Sequence, residues 1–269
     1  MWGGSDFAGG VGARRAPALL VVAPGQVVTL LLLLGLCFGL HLAPPPRFAA
    51  VCALAGGLEG ALSLALFYRA LSMGAMGLTA ALTGVLTAFV PVLFAIVHDG
   101  IPGTAARFGL LAGLIAIWLI THSPGQSPGE GFRGASRTAL VLGAISGAGF
   151  GVQMILFKLA SSGGVLWTMT CGRIGGVTAL LIVLAFVRPA IPARSFVWIG
   201  ILASLLDTTG NGFFVWSASF GRLEVAAIIS SLYPGFTILL AAVVLREWPT
   251  RRQVAGMALA LVAVALLGM

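Results

Sequence analysis

Charged residues are scarce in this sequence. Asp, Glu, Lys and Arg make up 8% of the 269 residues and hydrophobic residues 59%, whereas soluble domains carry about 25% charged residues. A surface so poor in charge excludes a chain that faces water on most sides, and the mean hydropathy of +1.09 is typical of an integral membrane protein. The apolar runs are ~20 residues long, the length of a membrane helix rather than of a barrel strand. We therefore predict an all-α integral membrane fold.

Metal- and nucleotide-binding patterns are also missing. The histidines His41, His98 and His122 fall singly at the ends of apolar runs, without the spacing of metal ligands. The cysteines lie inside apolar runs without a CxxC pattern, so we expect them to be small packing residues. The sequence has no Gly-rich phosphate loop. These absences predict no metal, no cofactor and no ATP-driven activity.

The formal net charge of +8 does not indicate a nucleic-acid partner. The basic residues stand singly or in pairs at the ends of apolar runs, which is how membrane topology is encoded, and no basic cluster contains interleaved aromatic residues. Lys158, Arg69 and Arg222 lie near the ends of runs, where we expect them to snorkel to the membrane surface. We predict the lipid bilayer as a partner and leave the oligomeric state open.

Charged and Pro- or Gly-rich joints divide the chain into ten predicted spans. They cover residues 1–13, 16–42, 47–70, 74–98, 105–122, 138–159, 164–187, 195–219, 222–245 and 251–269. Residues 123–137, rich in Ser, Pro and Gly, resemble a linker between a first half, 1–122, and a second half, 138–269. The first span is shorter than the ~20 residues of a membrane helix. We expect a truncated first helix, with residues missing before Met1 or a short, poorly anchored helix as alternatives.

The two halves resemble each other. A shift of 147 residues takes Gly25 to Gly172 and Phe89 to Phe236, and the joints keep a constant register. Because five spans is an odd number, two such copies cross the membrane in opposite senses. Inverted repeats are typical of secondary transporters, which bind their solute at the repeat interface near the bilayer midplane.

The end of the chain, residues 230–267, resembles the end of an EamA domain of the drug/metabolite transporter superfamily. The pattern is an S-L-x-P turn, an apolar helix, a charged joint and a Q-x-x-G opening of the last helix. Its positions here are Ser231, Leu232, Tyr233, Pro234, Arg246, Glu247, Trp248, Gln253 and Gly256. The Trp-Gly opening of the chain is similar to the first helix of that family, whereas His98–Asp99–Gly100 departs from the pattern at the equivalent joint of the first half.

The resemblance covers essentially the whole chain, and it implies a secondary transporter rather than an enzyme. Such a protein moves a small organic metabolite or drug-like solute by alternating access, with ion or proton coupling, in the plasma (inner) membrane. The alternative is an intramembrane enzyme that acts on a lipid or lipid-linked substrate. That alternative requires several catalytic polar groups at one membrane depth, and the sequence offers no recognised set.

Two criteria disagree on which side of the membrane the termini of the chain lie. The family expectation places both termini in the cytoplasm. The joints after the odd-numbered spans carry ten basic residues and the opposite side carries four, so the positive-inside rule places both termini outside. We leave the orientation open.

Polar residues inside the spans are the candidates for function, since a charged group at a span centre costs ~2.5–3.5 kcal/mol on insertion scales. The candidates for substrate binding or coupling are Asp6, Gln26, Glu59, Gln153, Arg173, Asp207, Asn211 and Tyr233. Asp207 and Asn211 are four residues apart and share a helix face, with Thr208 at its border and Thr209 directed away.

Glu59 and Arg173 are best understood through the repeat. At the shift of 147 residues Glu59 faces Leu206, one residue from Asp207, and Arg173 faces Gln26. A guanidinium inside a span pairs with a carboxylate or faces water. Arg173 therefore either holds an anionic group of the substrate while a carboxylate carries a coupling proton, or forms a bridge that only stabilises helix packing.

Two prolines interrupt predicted spans. Pro91 in the fourth span and Pro234 in the ninth each remove one helical hydrogen bond. We predict that they are either hinges for alternating access or static kinks that improve packing.

Overall fold

The computed structural model describes residues 1–13, 16–73, 76–100, 103–121, 137–187, 197–221, 223–230 and 251–267, together with residues 232, 233, 236, 240 and 243. These residues are almost entirely helical, and no strand occurs among them. The prediction of an all-α chain is confirmed for this part of the sequence. Pro234 and most of the predicted linker, 123–137, lie outside the described residues.

Ten α-helices are described. They are α1 (Trp2–Ala13), α2 (Ala18–Gly39), α3 (Arg47–Ser72), α4 (Met76–Asp99), α5 (Thr104–Thr121), α6 (Arg137–Ala160), α7 (Val165–Val187), α8 (Val197–Phe220), α9 (Leu223–Ser230) and α10 (Arg251–Leu267). A short 3-10 helix, Ser161–Gly163, joins α6 to α7. Pro17 and Pro46 directly precede α2 and α3, at a helix start, where the N–H that proline lacks has no partner within the helix.

Four of the described helical segments are long and apolar enough to cross a membrane: 18–39, 47–70, 137–163 and 165–187. The helix α8 has 24 residues but is not among them, because its centre carries the polar group around Asp207. Large apolar side chains cover the outside, such as Phe186, Trp198 and Phe220, which are 85%, 77% and 78% exposed. An exterior of this kind suits hydrocarbon rather than water.

Helix packing follows a repeated scheme. The helix α3 packs against α6 and α7, and α8 packs against α1 and α2. If each helix is replaced by the helix five places later or earlier in the chain, the contacts of α3 with α6 and α7 become the contacts of α8 with α1 and α2. The contacting pairs α2–α7, α4–α9 and α5–α10 map onto themselves under the same exchange. The helix α4 also packs against α6, while its counterpart α9 is described as a continuous helix only over Leu223–Ser230.

The correspondence extends to single residues at the helix crossings. A methyl group on Gly57 of α3 would lie 1.7 Å from the carbonyl oxygen of Gly172 on α7. A methyl group on Gly25 of α2 would lie 2.4 Å from the Cβ atom of Ser204 on α8. The shift of 147 residues takes Gly25 to Gly172 and Gly57 to Ser204, so the two crossings bring equivalent positions together. At both, a missing side chain lets the helices approach closely.

Lys158 connects the end of α6 to the end of α8. Its Nζ atom donates to the carbonyl oxygens of Ala218 and, at 3.0 Å, of Gly221. These carbonyl groups are at the C-terminal end of α8, where the helix offers them no N–H partner. The positive charge also suits the C-terminal end of the helix dipole. This half-buried ammonium thus has partners within the protein, and the expectation that Lys158 snorkels to the membrane surface stays a prediction. Arg222 lies outside the described residues.

Candidate functional site

Three adjoining cavities lie between the helices of the two halves. Their volumes are about 50, 30 and 10 Å³. Leu64 of α3 and Asp207 of α8 line all three, so the cavities adjoin at these two residues. Together we call them the central cavity, and each of them one of its branches. A water molecule needs about 10–15 Å³ of such space. The central cavity therefore has room for a few waters, and a larger solute requires the helices to move apart.

An ion pair forms the polar centre of this space. The guanidinium Nη2 of Arg173 donates to Asp207 Oδ2 at 2.5 Å and to Thr208 Oγ1 at 2.6 Å. The Asn211 amide donates to Asp207 Oδ1 at 2.9 Å. The side chains of Arg173 and Asp207 are 9% and 21% exposed, so most of the pair is removed from bulk solvent. Such a pair is stable only when further hydrogen bonds satisfy its remaining atoms, which Thr208 and Asn211 supply here.

The helix α8 orders this cluster through its own backbone. Thr208 Oγ1 donates to the Ser204 carbonyl oxygen at 2.6 Å, and the Asn211 amide also donates to the Asp207 carbonyl oxygen at 3.0 Å. Thr209 is exposed and bonds only within its own helix, to the carbonyl oxygen of Leu205. The predicted polar face of Asp207 and Asn211, edged by Thr208, is confirmed, and so is the outward direction of Thr209.

Gln26 brings an unsatisfied acceptor to the same space. The residue is 4% exposed, it lines the second and third cavities, and its Oε1 atom has no hydrogen-bond partner within the described part of the chain. Buried polar atoms are nearly always paired, so an orphaned oxygen facing a cavity marks a position where a donor of a bound molecule fits. The sequence placed Gln26 opposite Arg173 in the repeat, and both line the second cavity.

Aromatic side chains enclose the first cavity. Trp2, Phe67, Phe150 and Tyr233 line it together with Asp6. The Trp2 and Tyr233 rings meet edge to face with centroids 6.1 Å apart, and the Phe67 and Phe150 rings do so at the same distance. Of these rings the sequence singled out only that of Tyr233. Aromatic residues in a largely apolar chain carry no signal that separates cavity walls from the core.

The structure brings seven of the eight predicted polar residues to the central cavity. They are Asp6, Gln26, Gln153, Arg173, Asp207, Asn211 and Tyr233. Glu59 is not among the described lining residues. Its Oε1 atom accepts a hydrogen bond from Ser63 at 2.9 Å and faces Gly149, where an added methyl group would lie 2.1 Å away. A role in binding or coupling stays a prediction for all eight residues.

The lining positions are related by the same shift as the helix crossings. A displacement of 147 residues connects Asp6 with Gln153, Gln26 with Arg173, and Leu64 with Asn211. Each of these residues lines the central cavity. Asp207 corresponds to Gly60, which lines the second cavity. The two halves thus contribute equivalent positions with different chemistry.

Of the two prolines predicted as hinges or kinks, one lies among the described residues and the other does not. Pro91 lies inside α4, which continues through it to Asp99, and its ring approaches α6, where a methyl group on Gly151 would lie 3.2 Å from the Pro91 Cδ atom. Pro234 falls outside the described residues. A further proline, Pro24, lies inside α2 two residues before Gln26 and was not among the predicted hinges. The hinge role stays a prediction.

Comparisons with known proteins agree with this architecture. The model of the EamA-like transporter family matches residues 137–269. A solved structure described as "Crystal structure of protein" superposes with a TM-score of 0.73 and 17% sequence identity, covering 98% of this chain and 92% of that chain, which is a likeness of fold. No curated protein matches the sequence.

Fold, exterior and family match define an all-helical integral membrane protein. Residues 137–269 are an EamA domain of the drug/metabolite transporter superfamily, as the pattern at the end of the chain predicted. Proteins of this family are transporters rather than enzymes. They work in a lipid bilayer and handle small-molecule solutes.

Proposed function

We propose that this protein is a secondary transporter made of two five-helix repeats of opposite orientation, which moves a small organic solute through the central cavity by alternating access. The observation that carries the proposal is the position of the cavity between residues that the repeat relates to each other, as Gln26 and Arg173 are. Repeat interfaces are where secondary transporters bind their solutes.

The exchange of helix contacts supports the two-repeat organisation. Equivalent glycines or serines meet at two crossings, that of α3 with α7 and that of α8 with α2. A further pair, Thr29 and Ser204, lies 3.3 Å apart and corresponds to Gly176 and Gly57 in the other half. A methyl group on Gly176 would lie 3.3 Å from the Gly57 carbonyl oxygen. Two packings related in this way can exchange roles, which is the basis of rocking between inward- and outward-open states.

The small volume of the cavity supports alternating access rather than a continuous pore. Its largest branch has a volume of about 50 Å³, which is enough for a few waters and too small for an organic molecule. A solute enters only when the helices separate on one side, and the barrier on the other side stays closed. The Arg173–Asp207 pair lines this cavity and has to be rearranged or bypassed during each cycle.

Coupling is assigned to the carboxylates of the cavity. Asp6 and Asp207 both line the first branch, and a carboxylate inside a membrane protein is costly unless it is paired or protonated. A proton that neutralises one of them changes the energy of the closed state, so proton entry and solute exchange become linked. An anionic solute would have to displace Asp207 from Arg173 to reach the guanidinium.

Proteoliposomes with an imposed proton gradient test this function. A labelled panel of amines, amino acids and neutral metabolites is offered to vesicles with the protein and to protein-free vesicles. We expect at least one solute to accumulate in the protein-containing vesicles and a protonophore to abolish the accumulation. Accumulation that is insensitive to collapse of the gradient would contradict proton coupling. Chemical conversion of the vesicle lipids without solute movement would support the intramembrane enzyme instead.

A further inference from the structure

The ionisable groups around the central cavity do not balance. Among its described lining residues, the acidic and basic side chains are Asp6, Arg173 and Asp207. Arg173 and Asp207 neutralise each other at 2.5 Å. Asp6 forms no ion pair with any described residue, although the amino group of Met1 and the Asp207 carboxylate act on it electrostatically. The lining therefore has one carboxyl group more than it has basic groups, and this carboxyl is available as the counter-ion of a bound cation.

The excess carboxylate lies among aromatic rings. We call the group of Trp2, Asp6, Phe67, Phe150 and Tyr233 the aromatic lobe; all five line the first branch of the cavity. Trp2 is one helical turn before Asp6 and shares its side of α1. Aromatic faces attract cations because of their quadrupole, most strongly in surroundings without water. Rings around a carboxylate are therefore suited to a cation that carries apolar groups.

Arg173 does not favour an anion at this place. Its Nη2 atom is held by Asp207 and Thr208, and the second branch contains a neutral unpaired acceptor, the amide oxygen Gln26 Oε1. An amide oxygen accepts an N–H or O–H group and repels a carboxylate. Both branches thus present acceptors, one charged and one neutral.

We infer that the aromatic lobe binds the positively charged group of a small organic ammonium compound, with Asp6 as its counter-ion. The rings surround the carbon atoms attached to the nitrogen, and Gln26 accepts a hydroxyl or amine hydrogen from the other end of the same molecule. The inference rests on the proposed function and names its substrate class.

A matched pair of ligands isolates the charge. Choline and 3,3-dimethylbutan-1-ol have nearly the same shape, but a quaternary nitrogen in the first is a neutral carbon in the second. Binding is measured at equilibrium by calorimetry on the purified full-length protein in lipid nanodiscs, without any gradient. We expect choline to bind at least about tenfold more tightly than the alcohol, because the ion pair and the cation–π contacts exist only for choline. Equal affinities, or no choline binding at millimolar concentration, would overturn the inference.

Three variants locate the binding group. We expect Asp6→Asn to reduce choline affinity to that of the alcohol, and Trp2→Leu to reduce it about three- to tenfold, as loss of one cation–π contact predicts. Asp99→Asn is the matched control: it removes the same charge from a carboxylate at the C-terminal end of α4, and affinity should change less than about twofold. If Asp6→Asn does not fold, Trp2→Leu still decides, since unchanged choline affinity in that variant excludes the aromatic lobe.

The outcomes separate this inference from the proposed function. Transport of some solute by the protein, with equal binding of choline and the neutral alcohol, would overturn the substrate class alone. Selective binding of choline without movement of any solute in proteoliposomes would leave the cation site standing and overturn transport.

Discussion

Asp207→Asn will lower the free energy of unfolding by roughly 3–5 kcal/mol and abolish solute transport. The substitution keeps the size of the side chain but leaves the Arg173 guanidinium, 9% exposed, without its counter-charge. Removing one partner of a buried pair is this costly because the other charge stays buried and uncompensated. Denaturant unfolding of the purified protein in detergent measures the first effect, and uptake into proteoliposomes measures the second.

The double variant Arg173→Gln/Asp207→Asn separates stability from function. Both charges are then absent, and two amides can hydrogen-bond at the same place, so we expect most of the lost stability to return. Transport should stay absent if the pair takes part in the transport cycle. A stable double variant that transports like the parent would show that the bridge only stabilises packing. Parent-like stability of Asp207→Asn alone would contradict the observed ion pair.

Gly57→Ala will have a comparable effect on stability for a steric reason. The added methyl group would lie 1.7 Å from the carbonyl oxygen of Gly172 and 2.4 Å from its carbonyl carbon, and backbone atoms cannot rotate away as a side chain can. The helices α3 and α7 would have to separate, with loss of the packing that holds membrane helices together. We expect a loss of about 3 kcal/mol or more, at the upper end for overpacking, measured by the same unfolding experiment.

Gly35→Ala is the matched control for this prediction. Gly35 also lies inside a helix, α2, but a methyl group there would meet no atom within 4 Å. The change should stabilise the helix by about 0.5–1 kcal/mol, since alanine loses less backbone entropy than glycine. If Gly57→Ala were as stable as Gly35→Ala, the close crossing of α3 and α7 would be wrong.

The helices and the polar face of α8 were predictable because their signals are local. Long apolar runs ended by Pro, Gly and charge gave span boundaries close to those of α2, α3 and α7, and a spacing of four placed Asp207 and Asn211 on one face. The internal shift paired Gln26 with Arg173, and these residues do line the same branch of the cavity. Periodicity and self-similarity thus reached the ion-pair cluster of the candidate site, but not the polar lining residues Ser5, Tyr68, Thr87 and Ser204.

The remaining parts of the site depend on three-dimensional proximity. The sequence left two partners open for Arg173, and only the packing of α7 against α8 brings Asp207 within 2.5 Å. Leu64 lines every branch, yet one leucine among many has no distinguishing pattern; its equivalence to Asn211 was the one available signal. Glu59 attracted attention as an embedded acid, but the one-residue offset from the Asp207 register turns it toward Gly149.

Two-sided access to Leu64 tests the central claim, that the central cavity is the path of alternating access. Leu64→Cys is made in a background in which Cys37, Cys52 and Cys171, all buried, are replaced by alanine, and it is treated with a membrane-impermeant thiol reagent from either side of oriented vesicles. Alternating access predicts modification from each side in turn, with solute or a reversed proton gradient shifting reactivity from one side to the other. Modification from one side only, under every gradient and solute condition, would contradict it.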